Sequence, residues 1–318
     1  MSTTTSTAPL PAEKMGSAGS DWNLTNGAGY ILDRDRSHAA ASRLNLQFYL
    51  WKDSLGFNIH PTISSSLFPS SSSSSSSTKS SEVAAGSQNP VAICEVASGT
   101  GIWLIDVARS VPPSTVLTGL DYNLAQSPPS AWLPPNVSMR HWNVFDPVPE
   151  DLVGKYDYVH TRLLVLVVGE SKDPGPIIRN LLTLLKPGGW LQWDELDTVN
   201  MSVQKVDPGL ETPALEELRA WSWAEGRLDW TVRLPEFMEK EGFTEVRGDL
   251  FGDPPALARA FTEQHLLTAE EFAEGLVKLG RREVGEKYFG LVQRAHREAV
   301  EGAALCVPRI VCVGRRPL

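Results

Sequence analysis

The alternation of apolar and polar residues changes rhythm along the chain. Over residues 30–55 it is helical: Leu44, Phe48, Trp51 and Leu55 recur at spacings of three and four, and Gly56 stands where such a helix is capped. "FNIHPTI" follows as a short turn around Pro61. Residues 64–90 carry a serine tract that cannot bury enough apolar area to offset its ordering entropy, so a flexible loop is expected there. After Val91 short apolar runs alternate with amphipathic ones. "VAICEVA", "STVLTGLD", "VSMRHWNVFD", "YDYVHTRLLVLVV" and "WLQWDELD" read as strands, with helices at "GIWLIDVARSV" and "PIIRNLLTLLKPGG" between them. This βαβ alternation predicts a parallel sheet wrapped by helices, with ligands bound outside the carboxyl ends of its strands. Residues 213–242 are again helical, "GFTEVRGDLFGD" reads as a strand, and two long amphipathic helices lead into "CVPRIVCVGRRP", a β-rich run that completes the sheet.

Composition narrows the class. With 318 residues, 42% hydrophobic and 21% charged, the chain falls among ordinary soluble globular proteins of one large domain or two small ones. A net charge of −9 argues against electrostatic capture by nucleic acid or an anionic membrane, so neither is expected as a partner. No apolar run approaches the ~18 residues that span a bilayer. Residues 1–29 are rich in Ser, Thr, Ala and Gly and lack the apolar core of a secretory signal. They are expected to be disordered, and the protein to be cytoplasmic, with entry to the nucleus left open. Cys94, Cys306 and Cys312 lie in apolar runs without C-x-x-C spacing, which points to buried thiols in a reducing compartment rather than disulfides or zinc. No His/Asp/Glu cluster has the spacing of another metal site.

The chemistry concentrates in "EVASGTG". Ser98, Gly99, Thr100 and Gly101 let the backbone approach a ligand closely and turn into a helix whose free N–H groups face it. Glu95, at the end of the preceding strand, is placed to accept a hydrogen bond from a ligand amine. Asp121 ends the next strand about 20 residues past the loop, where an acid reaches ribose hydroxyls. Together they favour an adenosine-containing ligand. The loop reads A-x-G-x-G rather than G-x-G-x-x-G, and no Walker lysine follows, so a nucleoside triphosphate is not expected. Ala97 stands where such loops begin with glycine. Its methyl group costs little at an ordinary φ and much at a positive one.

These residues resemble the class I S-adenosylmethionine-dependent methyltransferases, in particular the fungal group associated with secondary metabolism and its regulators. Glu95 to Gly101 is similar to that family's E/D-x-G-x-G-x-G loop, and Gly119-Leu120-Asp121 to the acidic end of its second strand. Lys155 to His160 is similar to the segment through its fourth strand, and Leu185 to Gly189 to its L-K-P-G-G turn before strand five. "YILDRD", "RLNLQ" and "GFNIHP" are similar to the fungal group's leading segment. The resemblance implies a Rossmann-like α/β fold: a seven-stranded, mostly parallel sheet with helices on both faces. It also implies a helical N-terminal arm at 30–63 and a domain over 91–318, with substrate-facing helices at about 200–235 and 255–304. It implies S-adenosyl-L-methionine as cofactor, held by Glu95, Ala97, Ser98, Gly99 and Gly101 at its amino-acid end, by Asp121 at its ribose, and by Asn143 and Val144 at its adenine. His160 would open toward the methyl group.

The reaction so implied is methyl transfer to an oxygen or nitrogen of a small-molecule natural product. Its main demand is alignment of nucleophile and methyl group, with a base needed when the nucleophile is a hydroxyl. His160 is the candidate base. Trp51, His60, Asp194, Glu195 and His265 are candidates to line the acceptor site. Two other roles remain open to the same fold: a cyclisation or rearrangement without methyl transfer, and a regulatory binding protein acting through partners.

Overall fold

The computed structural model describes Leu32 and residues 37–69, 90–168, 171–223, 226 and 228–318. The expected disorder of residues 1–29 and most of the serine-rich loop lie outside the described residues. Helix α1 (His38–Leu55) starts at Ser37, whose side chain accepts the Ala40 N–H, and stops at Gly56, whose φ of 76° ends it as expected. Helix α2 (Pro61–Leu67) extends the arm beyond 63, so Ser64, Ser65 and Ser66 are helical rather than the start of a loop. The His60 side chain accepts the Thr62 N–H, Pro61 pre-sets the first turn, and Ile63 is wholly buried.

The main domain runs β1 (Ala92–Val96), α3 (Ile102–Val107), β2 (Val116–Asp121), β3 (Val137–His141) and β4 (Tyr156–Arg162). Then come α4 (Val165–Val168), α5 (Gly175–Leu184), β5 (Leu185–Leu196), β6 (Ser202–Lys205) and α6 (Pro213–Trp223). It closes with α7 (Leu234–Lys240), β7 (Thr244–Phe251), α8 (Ala258–Lys278), α9 (Arg282–Val300), β8 (Ala303–Cys306) and β9 (Arg309–Arg315). Seven strands form one sheet in the order β3-β2-β1-β4-β5-β9-β7. The first five run parallel, and β9 is antiparallel to both β5 and β7. This is the seven-stranded, mostly parallel α/β sheet expected. Among the described residues no helix is long and apolar enough to cross a membrane.

Two details differ from the sequence pattern. The run expected as one long fourth strand ends at Arg162, because Leu163 turns the chain at φ 59° and the next apolar residues form α4. A continuous apolar run is buried either way, and its periodicity does not tell strand from helix. A second, two-stranded antiparallel sheet pairs β6 with β8; four mostly exposed residues in β6 carry no alternation that announces it.

Strand parity divides the core. Side chains alternate between faces, so Ile93, Tyr158 and Trp190 pack with Trp103 and Leu104 of α3, while Cys94, Val159, Leu191 and Trp193 pack with α5 and α7. A third core joins α6, α8, α9, β6 and β8 through Leu215, Leu266, Leu291 and Leu305. These elements come from two excursions of the chain, one before α7 and one after β7.

Parity also decides Glu195. It shares a face with Trp193, away from Glu95 and His160, and is buried with Trp193 Nε1 donating to its Oε1 at 2.8 Å. Burial pushes its carboxyl up to about 8, outweighing that bond. An unfolded glutamate ionises near its ordinary value of about 4.3. Between there and about 8 the folded chain keeps a proton that the unfolded chain has released. Stability therefore falls as pH rises through this window, by on the order of a few kcal/mol. Thermal unfolding followed from pH 5 to 9 should show that decline, and Glu195→Gln should flatten it.

The "LKPGG" turn is a bulge inside the β4–β5 ladder: Tyr156 pairs with Leu185, but Tyr158 pairs with Trp190. Gly188 has φ 76°, and a Cβ on Gly189 would lie 3.0, 3.1 and 3.2 Å from the carbonyl oxygens of Lys186, Tyr156 and Asp157. Backbone oxygens cannot swing aside as side chains do. Gly189→Ala should cost about 1–3 kcal/mol in urea unfolding.

Candidate functional site

The carboxyl ends of β1, β2 and β4 open onto one cavity of ≈ 260 Å³, roofed by α1 and reached by Thr268 of α8. Its floor is the loop after β1. Ala97, Gly99 and Gly101 have φ of 58°, 52° and 68°, so alternate residues are left-handed. At Ala97 this backbone costs about 1–2 kcal/mol that glycine would not incur. The end of β2 holds the loop in place. Leu120 O accepts the Ser98 N–H at 3.2 Å, and Asp121 Oδ2 accepts the Gly99 N–H at 2.8 Å. Asp121 Oδ1 accepts the Asn123 N–H at 2.9 Å, so this acid fixes backbone on both sides of the cavity.

Behind the loop a row of polar side chains crosses the α3 face of the sheet. Glu95 in β1 is level with His160 in β4, which is level with Gln192 in β5. His160 is fully buried. Its ring stacks on Trp103 with centroids 4.1 Å apart and 6° between planes. His160 Nε2 lies 3.2 Å from Asp194 Oδ2, and Nδ1 lies 3.7 Å from Glu95 Oε1. Arg162 donates to Asp194 Oδ2 from Nε at 3.1 Å and from Nη2 at 2.8 Å. Burial pushes the Asp194 carboxyl up, but Arg162 and the His160 hydrogen bond outweigh it and hold the group below its usual range. Glu95 shifts the other way. Its burial dominates over the His160 contact and raises it. Glu95 Oε2 and Ser98 Oγ are buried without a hydrogen-bond partner.

Of the residues singled out by sequence, Glu95, Ala97, Ser98, Gly99, Asp121, Asn143, Val144 and His160 all line this cavity. Gly101 stands just behind it as the N-cap of α3. Asn143 Oδ1 accepts the Phe145 N–H at 3.2 Å, and the Val144 carbonyl accepts from Asn180 at 2.7 Å. The five acceptor-site candidates do not line it. Trp51 packs against the guanidinium groups of Arg162 and Arg309, 4.7 and 5.4 Å from its ring. His60 caps α2 and contacts Asp249 at 3.0 Å. Asp194 stands behind His160 and Arg162, and Glu195 faces the opposite core. His265 lies in α8, where burial and the charge of Arg309 push it down to about 4.

Sequence reasoning missed the roof. Ala40, Arg43, Leu44, Gln47 and Phe48 of α1 line the cavity, as do Trp103, Arg162 and the segment Leu163 to Val167. Thr100 Oγ1 donates to Asn45 Oδ1 at 2.8 Å, tying loop to roof, and Arg43 Nε donates to Glu271 Oε2 of α8 at 2.6 Å. The available signal was the alternation of Arg43, Asn45 and Gln47 with Leu44 and Leu46 in the middle of α1.

A family model described as a methyltransferase domain matches residues 75–243, more than half of the chain. Methyltransferase grgD of Penicillium sp is 44% identical over 114 residues, covering 34% of this chain and 39% of that protein. N-methyltransferase tcpN of Claviceps purpurea is 30% identical over 151 residues, covering 46% and 53%. The chain thus spans about half or less of the length of these curated relatives. Among solved structures, phosphoethanolamine N-methyltransferase 2 of Haemonchus contortus, in complex with S-adenosyl-L-methionine, superposes with a TM-score of 0.42 at 13% identity, covering 84% of this chain and 53% of that one. On the family match, the chain belongs to the methyltransferase-domain family, whose methyl donor is S-adenosylmethionine.

Proposed function

We propose that the chain transfers a methyl group from S-adenosylmethionine to a nitrogen or oxygen of a small, largely apolar natural product. The observation that carries this reading is the buried, unpartnered Glu95 Oε2 beside the left-handed loop. A carboxyl oxygen there needs a donor, and an ammonium is the group that would restore its charge in so dry a place. The amino-acid end of the cofactor supplies one. Glu95 and residues 97–101 would hold that end, Asp121 the ribose, and Asn143 and Val144 the adenine edge. When bound, the cofactor brings an electrophilic methyl group on a sulfonium sulfur.

What remains for the chain is to bind the acceptor, orient it and exclude water. Leu32, Leu163, Leu164, Val165, Leu166 and Leu196 line the cavity beside Gln47, Arg162 and Thr268, which supports a largely apolar acceptor. His160 spends Nε2 on Asp194 and its face on Trp103, while its Nδ1, 3.7 Å from Glu95 Oε1, is buried without a hydrogen bond. A neutral amine needs no base to attack, and that favours nitrogen over a hydroxyl. The name of the relative tcpN as an N-methyltransferase supports the same choice.

Calorimetry with S-adenosylhomocysteine tests the reading. The folded chain should bind it, and Asp121→Ala should weaken binding about 10- to 100-fold by removing charged bonds to the loop and the ribose. No heat from the folded wild-type chain would sink the proposal. Substitutions at Ala97 test the loop. Ala97→Gly should unfold at the same or a higher urea concentration and bind as well as wild type. Ala97→Val should lose about 1–3 kcal/mol, since a β-branched residue fits a left-handed backbone worst.

A further inference from the structure

Gln47 of α1 is 9% exposed and lines the cavity. Residues three and four apart on a helix share a face, which sets Gln47 between two fixed points of the site. Leu44, a turn before it, has Cδ1 3.7 Å from where a Gly99 Cβ would stand, over the loop after β1. Trp51, a turn after it, has the Arg162 guanidinium 4.7 Å from its ring. Gln47 thus stands past the loop, toward the end of β4, where Arg162 and Leu163 line the cavity. Among the described residues its amide makes no hydrogen bond to the chain, and it opens to the cavity rather than being sealed in protein. The polar groups around it are already engaged. Thr268 Oγ1 donates to the Gln264 carbonyl at 3.1 Å and accepts from Gln264 Nε2 at 3.0 Å. Arg162 gives Nε and Nη2 to Asp194, which leaves Nη1.

A guanidinium only donates, and an amide N–H₂ donates twice, so the group that answers this wall is an oxygen acceptor. Its charge follows from the charges already present. Glu95 and Asp121 line the cavity as carboxyl groups, while Arg162 is paired with Asp194 and Arg43 with Glu271. A further full anion would meet no unpaired guanidinium among the described residues of the lining, and its desolvation against the leucines would go uncompensated. Resting on the methyl-transfer reading above, we propose that the methyl acceptor is an uncharged molecule bearing a carbonyl oxygen, and that Gln47 selects and orients it by donating from Nε2, with Arg162 Nη1 beside it. The apolar remainder lies along Leu163 to Leu166 and Leu196. Gln47 and Leu44 ride on one rigid helix. The carbonyl is therefore held at a set distance from the loop at 97–101, which is what alignment with the methyl group demands.

Three small probes of one shape test this: acetophenone carries the carbonyl, ethylbenzene lacks it, and benzoate replaces it with an anion. Each is titrated by ligand-observed NMR into the full chain saturated with S-adenosylhomocysteine. Wild type should bind acetophenone about 3- to 10-fold tighter than either of the others. Gln47→Leu, close in volume and without donors, should bring acetophenone to within about twofold of ethylbenzene. Ethylbenzene itself and S-adenosylhomocysteine should stay within about twofold of their wild-type affinities. Gln47→Glu, which keeps the shape and replaces the N–H₂ by oxygen, should lose the preference as well. A preference that survives both substitutions overturns the assignment. So does equal weakening of every ligand, which would mark Gln47 as packing only. In wild type, tighter binding of benzoate, or no binding of any probe, also overturns it. If the folded wild-type chain does not bind S-adenosylhomocysteine, the methyl-transfer reading fails and takes the assignment with it; if it binds and shows no preference for acetophenone, only the assignment fails.

Discussion

Glu95 and His160 stand level on one face of the sheet, Arg162 and Asp194 stand level in the next row along the same face, and none of the four can be charged there alone. Taking a carboxylate out of water costs several kcal/mol unless a cation or a set of hydrogen bonds replaces the solvent. Arg162 and His160 do this for Asp194. Glu95 is left with a distant imidazole and one bare oxygen, and it is the deficit at this end of the cluster that faces the cavity. The parallel register of β1, β4 and β5 creates both rows, since residues level in adjacent strands share a face. The site is thus a property of the sheet before it is a property of any loop.

Much of this was legible in the sequence because it is local. The βαβ rhythm, the small-residue loop, the acid at the end of β2 and the glycines of "LKPGG" each declare themselves within a few residues. The cavity residues on β1, its loop and the end of β2 follow directly. What was not legible depends on parity or on distance along the chain. Asp194 and Glu195 look alike in "WDELD", yet one faces the cavity's polar row and the other a hydrophobic core, which follows only once the strand's phase is known. Trp51, His60 and His265 have the right chemistry for a site, but Trp51 packs by Arg162 and Arg309, His60 meets Asp249, and His265 is buried within α8 near Arg309. Arg43 and Glu271 are 228 residues apart, and no periodicity connects them.

Ala97 shows how the loop tolerates an alanine. The left-handed turn is enforced from outside, by Leu120 and Asp121 accepting the next two backbone N–H groups. Those bonds outweigh the unfavourable φ, so the methyl group is carried as strain rather than relieved by a change of path. The roof adds a further constraint: Asn45 holds Thr100 from above while Asp121 holds Gly99 from the side.

The β6–β8 ribbon joins two stretches of chain that leave the main sheet separately, one before α7 and one after β7. They share a hydrophobic core and are zipped by backbone hydrogen bonds, so neither is a free-standing appendage. For the evolution of the scaffold this sets a rule of inheritance. A loop that stands alone can be swapped or lengthened by one local event. Here, exchanging either excursion by itself would strand half a core and half a ribbon. Change in this region must arise by point substitutions within the shared core, or by replacement of both stretches as a matched pair.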